Sequence, residues 1–301
     1  MRSDWTSSVF SALAAVAVAA GLAGLNLFLW QSQNLVLPLA NALLLTALLY
    51  TFNMSWGFFV ESRTKRQFTE LFGQYVPPEL VEEMARNPEG YTMDGRKAEL
   101  TVLFSDVRGF TTISEGLAPD ELAALMNEYL GAMTEVIRGH KGTLDKYIGD
   151  AVVAMFGAPL ALPGHAHHAC LAALLSQARL AELRERWRAA GAWPEAVNAM
   201  QSRIGLNTGV AVVGNMGSRV RFNYTMMGDS VNLAARMESG AKHWGVHVMC
   251  TEATRVACEQ HAAGRVVFRP LGRIVVKGRT EPVPIHEVFG EAGSLPVDGA
   301  D

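Results

Sequence analysis

The sequence predicts an α+β domain, in which helices cover a mainly antiparallel sheet, preceded by two apolar segments each long enough to cross a membrane. Three observations carry this. From residue 96 onward short strand-like runs are mixed with, and then flank, amphipathic helices. From Trp5 through Val60 there is not one Asp, Glu, Lys, Arg or His. Half of the 301 residues are apolar, enough for one good-sized domain and something smaller.

The charge-free stretch divides at the polar QSQN of residues 31–34 into spans at about 9–30 and 35–57. Each reaches the roughly 20 residues that a hydrocarbon core requires. Trp5, Trp30 and Trp56 stand near the proposed ends, where amphipathic rings favour the interface. Arg63, Lys65 and Arg66 follow, so the positive-inside bias places both termini in the cytoplasm, on a multi-pass plasma-membrane protein. The first run is too long for a signal peptide's apolar region, and neither run has the polar face of a soluble hairpin. A net charge of -3 gives no sign of a nucleic-acid partner. Cys170, Cys250 and Cys258 are odd in number and not spaced as CxxC, which suits a reducing cytoplasm and argues against a disulfide frame and a zinc site.

Residues 61–95 form a charged helical coupling segment. Phe68, Leu71 and Phe72 recur at helical spacing, a second helix runs over 79–86, and Asn87-Pro88 stops it. The domain proper spans 96–290 and a flexible tail 291–301. Residues 99–105 alternate as a mostly buried strand. Pro119, Asp120 and Glu121 open a helix whose apolar positions repeat every 3.6 residues until Gly139. LDKYIGDAVVAMFG reads as strand, turn at Gly149-Asp150, and strand, followed by a helix over 165–190. Residues 202–213 are expected to fold as a hairpin around Asn207-Thr208-Gly209, with FNYTMM as a further strand. A helix is expected over 230–239, capped by Asp229, and two final strands near 265–276 and 283–289.

Chemistry concentrates at strand ends. A lone carboxylate buried at Asp106 would be costly, so it must reach solvent, accept N–H bonds or hold a cation. Asp150, in the next turn, can meet it at one rim of the sheet. Two carboxylates a few ångströms apart repel unless a cation lies between them, and hard oxygen donors select Mg²⁺ or Mn²⁺ beside substrate phosphates. Gly109 lets the chain turn so that the N–H groups of Phe110 and Thr111 face phosphate oxygens. Asn232 and Arg236, four apart, share a helix face, and Thr225 and Lys146 add polar groups at the same rim. His165, His167 and His168 read as a solvated helix end, and Arg179, Arg184, Arg186 and Arg188 alternate with acids as an exposed face.

In that order and at those separations, LFSDVRGFTTISE, LDKYIGDAVVAMFG and YTMMGDSVNLAARMES resemble the catalytic domain of class III nucleotidyl cyclases, particularly bacterial adenylate cyclases. The resemblance covers about 96–290, and residues 68–87 resemble the helical element preceding many such domains. It implies a ferredoxin-like domain and a head-to-tail homodimer with two composite sites. It also implies that an external sensor lies upstream in a larger receptor-type cyclase. Position by position, Asp106 and Asp150 match the aspartates that bind two metal ions, with the Val107 carbonyl as an extra ligand. Lys146 and Thr225 match the pair that reads adenine, Asn232 the residue that orients the ribose, and Arg236 the arginine that stabilises the transition state. Lys277 matches a lysine that grips the terminal phosphates. Guanylate cyclases usually carry glutamate and cysteine or serine at the base-reading pair, so ATP is the expected substrate and GTP the alternative. The other readings weighed are a catalytically silent dimerisation module and a palm-type polymerase, for which no basic channel is present.

Overall fold

The computed structural model describes residues 2–35, 38–52, 55, 95–217, 222–276 and 281–293. These fall into two units, the N-terminal helices and the domain from residue 95 onward.

In the first unit, α1 (Arg2–Gln33) is a single helix, within which Ala12–Ser32 is long and apolar enough to cross a membrane. Leu13, Val16 and Phe28 are 60%, 66% and 65% exposed, so its apolar surface is not used up by packing. The described part of the second expected span, α2 (Leu39–Phe52), is 14 residues long, shorter than a crossing needs. A second crossing is therefore a proposal rather than a finding. The coupling segment expected over 61–95 lies outside the described residues except for Gly95.

In the second unit the strands are β1 (Arg96–Val107), β2 (Thr143–Ile148), β3 (Ala151–Phe156), β4 (Ser202–Gly217), β5 (Phe222–Met227), β6 (Val248–Thr251), β7 (Val266–Ile274) and β8 (Val283–Glu291). Among the described residues they form one sheet ordered β2-β3-β1-β4-β6-β8-β7, with β5 paired to β4. Every pairing is antiparallel except β4 with β6. The helices are α3 (Phe110–Glu115), α4 (Pro119–Gly139), α5 (His165–Ala190), α6 (Glu195–Asn198), α7 (Asp229–Trp244) and α8 (Glu252–Ala262).

Period-two alternation divides the core. Val248 and Cys250 join Leu103, Leu125, Tyr129, Phe156 and Leu183 on the face covered by α4 and α5. Met249, between them, packs with Leu233, Met237, Ala241 and Ile285 on the α7 face.

Helices α4 and α5 and strand β5 run as the periodicity predicts. Four expectations are corrected. Residues 202–213 are not a hairpin: β4 runs unbroken for 16 residues. The turn-forming groups at its centre are claimed by distant partners instead. Asn207 Nδ2 donates to the Ser230 carbonyl at 2.8 Å and its Oδ1 accepts from Thr251 Oγ1 at 2.7 Å. A side chain at Gly209 would collide with Ser230, so glycine here serves close approach rather than a turn. Helix α7 extends to Trp244, with Gly228 rather than Asp229 as N-cap and no side-chain cap bond. The histidines of α5 are half-buried rather than solvated, with His165 Nδ1 2.8 Å from Thr101 Oγ1. Thr225 lies opposite Gly214, far along β4 from Arg203, the partner of Asp106, so the shared rim expected for Thr225 is not found in the pairing.

Candidate functional site

Two clusters of polar side chains gather the sequence-predicted site residues of the sheet. The first lies where β1 ends. Ser105 pairs with Val152 of β3, so Asp106 reaches the level of the β2–β3 turn. Gly149 makes that turn at φ 64, which leaves Asp150 beside the end of β1. Asp150 Oδ2 accepts the Val107 N–H at 3.0 Å, and its carboxyl shares a hydrogen bond with that of Asp106.

On the other side Asp106 is opposite Arg203 of β4, whose Nη2 is 3.9 Å from Asp106 Oδ2. Arg203 Nε is held 3.0 Å from Glu238 Oε1 on α7. That helix lies directly on β4 because Gly205 has no side chain: a Cβ there would overlap the Ala234 and Glu238 backbone. Asp106 and Glu238 thus share one guanidinium, with Asp150 beside Asp106. Burial, the Asp150 hydrogen bond and charge, and the Glu238 charge together push the Asp106 carboxyl up to about 7, with Arg203 opposing. Burial also raises the Glu238 carboxyl, which Arg203 counters.

This donor set suits a hard divalent cation. Two acids share a hydrogen bond where positive charge is short, and a cation would relieve both repulsion and desolvation. Among the described residues no group of three or more His, Cys, Asp and Glu converges as a metal site by itself. Two carboxylates and a carbonyl leave coordination positions for phosphate oxygens.

Following Arg108, Gly109 adopts φ 69 as N-cap of α3, and its carbonyl accepts from Thr112 and Ile113 N–H at 3.1 and 3.3 Å. The N–H groups of Phe110 and Thr111 precede these, at the helix start where no intrahelical acceptor exists.

The second cluster joins β2 to β5, two strands not paired in the sheet. Thr225 Oγ1 donates to Asp145 Oδ2 at 2.8 Å, and Lys146 Nζ lies 3.6 Å from Asp145 Oδ1. Lys146 and Thr225 are therefore brought together, through a residue that sequence reasoning overlooked. Its signal was there, an acid directly before Lys146 inside a strand. Arg203 and Glu238 were also missed, and nothing local marks them because their roles come from strand and helix packing.

Asn232 and Arg236 are exposed on one face of α7, while Leu233 and Met237 bury the other. Lys277 lies outside the described residues. A cavity of about 340 Å³ opens elsewhere, among Asn207, Ser230, Thr251, Glu252 and Glu281. It touches neither cluster.

Residues 93–287 match the adenylate and guanylate cyclase catalytic domain. The chain is 41% identical over 222 residues to adenylate cyclase 1 of Rhizobium meliloti, covering 73% of this chain and 32% of that protein, so it spans about a third of that relative's length. Among solved structures, the adenylyl cyclase CyaB from P. aeruginosa is 33% identical with a TM-score of 0.59, covering 67% of this chain and all of that one. The guanylyl cyclase Cya2 is 34% identical with a TM-score of 0.57, over 67% of this chain and 97% of that one.

Proposed function

Because the chain belongs to the class III nucleotidyl cyclase family, we propose that its domain converts ATP to 3′,5′-cyclic AMP and pyrophosphate. The observation that carries this reading is the convergence of Asp106 and Asp150 into one hydrogen-bonded pair short of positive charge. In the reaction the ribose 3′-oxygen forms a bond to the α-phosphorus in line with the departing pyrophosphate, and the 3′-hydroxyl proton is released.

Asp106, Asp150 and the Val107 carbonyl would hold two Mg²⁺ or Mn²⁺ ions. When bound, such ions supply acidity to the 3′-hydroxyl and neutralise phosphate charge. The chain's own groups position and stabilise. Lys146 donates to adenine N1 and Thr225 faces the 6-amino group. Asn232 orients the ribose, and Arg236 meets the negative charge that grows on the α-phosphate. The N–H groups of Phe110 and Thr111, with Lys277, meet the phosphates.

Asn232 and Arg236 are exposed and the Lys146 side chain is 41% so, which fits side chains that reach a nucleotide held by another copy. We therefore infer a head-to-tail homodimer with two shared sites. Ala12–Ser32, with the basic residues after 60, supports attachment to the plasma membrane with the domain in the cytoplasm. The two-span hairpin and its signalling role extend this reading.

Purified protein given ATP or GTP with Mn²⁺, with the product identified by mass, tests the assignment. Cyclic AMP formed in preference to cyclic GMP is expected. Cyclic GMP as the main product would make it a guanylate cyclase, and no cyclic product from a folded dimer would make it a silent module.

A further inference from the structure

The buried acid between the two base-facing residues has no role in the reading above. Asp145 is the extra residue of a β-bulge: Leu144 lies opposite Ala154 and Lys146 opposite Val153, leaving Asp145 without a partner on β3. Bulges re-aim side chains, and this one sends Asp145 inward, where its side chain is 2% exposed. A carboxylate there is costly unless bonded. Its neighbours are donors: Thr225 Oγ1 at 2.8 Å, the Lys146 ammonium at 3.6 Å, and the Met226 backbone N–H.

A hydroxyl has a single proton. Thr225 gives its proton to Asp145, so its oxygen has only lone pairs to offer a ligand. Lys146 has only protons to offer. The two side chains therefore present one donor and one acceptor. Adenine's edge is the complement, with N1 an acceptor and the 6-amino group a donor. Guanine's is the reverse, N1–H and O6, and would set donor against donor and acceptor against acceptor.

We propose that Asp145 is the positioning residue that sets the base preference of the site, by committing the Thr225 proton and holding Lys146 beside it. The inference rests on Lys146 and Thr225 facing the base.

The test is the ratio of kcat/KM for ATP to kcat/KM for GTP in Asp145→Asn. The amide oxygen turns to Lys146, which needs an acceptor, and the amide NH₂ turns to Thr225. That frees the Thr225 proton for guanine O6. The ratio is expected to fall at least about tenfold, the scale of one mispaired buried polar group. A parallel fall for both nucleotides, or an unchanged ratio, would reduce Asp145 to a structural tie and overturn the proposal.

Should Asp145→Asn not fold, the unmutated protein decides with purine analogues. Inosine triphosphate, which keeps O6, is expected to be at least about tenfold poorer than purine riboside triphosphate, which has no 6-substituent. Equal or better use of inosine triphosphate would mean that Thr225 donates, against the proposal. Lys146→Glu and Thr225→Val separate the two levels. If both shift the ratio and Asp145→Asn does not, only this inference fails. If neither shifts it, the base-reading assignment fails and takes the inference with it.

Discussion

The two polar clusters, one at the β2–β3 turn and one on β2 itself, are opposite in character. At the end of β1, Asp106 and Glu238 share one guanidinium with Asp150 close by, Asp106 is 37% exposed, and its acidity is displaced toward neutrality. Between β2 and β5, Asp145 is almost fully buried among a lysine, a hydroxyl and a backbone amide of the same chain, with Oδ1 facing the lysine at ion-pair distance and making no hydrogen bond. The first cluster is left short of charge for something that binds. The second is arranged in advance by the chain, which suits the proposed recognition of a neutral base, because ordering those groups on binding would cost affinity.

The sharpest way to break this contrast is to remove a carboxylate. Asp106→Ala or Asp150→Ala should lower cyclic AMP formation at saturating ATP and Mn²⁺ by at least about a thousandfold. Substantial residual turnover would show that the pair is structural. Arg236→Ala should lower kcat about a hundredfold or more with little change in KM, since its bond strengthens only as charge develops. An effect confined to KM would remove it from that role. Mixing inactive Asp106→Ala with inactive Arg236→Ala should restore activity through the one composite site left intact. Well-folded mutants that pair without recovery would reject the shared site.

A smaller effect is expected at Gly205→Ala, which drives a methyl into the backbone of α7. Stability should fall by about 1–3 kcal/mol, read as a lowered Tm. An unchanged Tm would mean that α7 is not seated on β4 as described.

The smallest effect is one of pH. Folded Asp106 keeps its proton up to about 7, whereas an ordinary aspartate releases it near 3.8. Between those values the folded state binds more protons than the unfolded state, so stability contributed here declines as pH rises through the window. Metal-free protein should show that fall in Tm, Asp106→Asn should flatten it, and Mn²⁺ should offset it at the upper end. Identical pH profiles for the two proteins would contradict the paired carboxyls.

Much of this was legible in the sequence where local pattern and tertiary role agree. The 3.6-residue apolar period, with Pro119 at the start of α4, marks the helix that covers Leu103 and Phe156, and the same strand ends that place Asp106 and Asp150 also bring them together. Short β6 and α8 escaped notice, since four residues of strand and an Ala-rich eleven-residue helix carry little periodic signal. Asn207-Thr208-Gly209 misled because Asn and Gly favour turns in isolation, yet here Ser230 and Thr251 claim the Asn207 amide.

By itself the sequence determined the family and the succession of the longer elements, and it pointed to the two acids, the Lys146–Thr225 pair and the Asn232–Arg236 face, because each is written in spacing along one stretch of chain. Only the tertiary structure decided that β4 runs straight through, that Arg203 and Glu238 enclose Asp106, and that a bulge turns Asp145 inward to Thr225. Those depend on groups 23 to 97 positions apart finding one another, and local propensity is blind to such pairing.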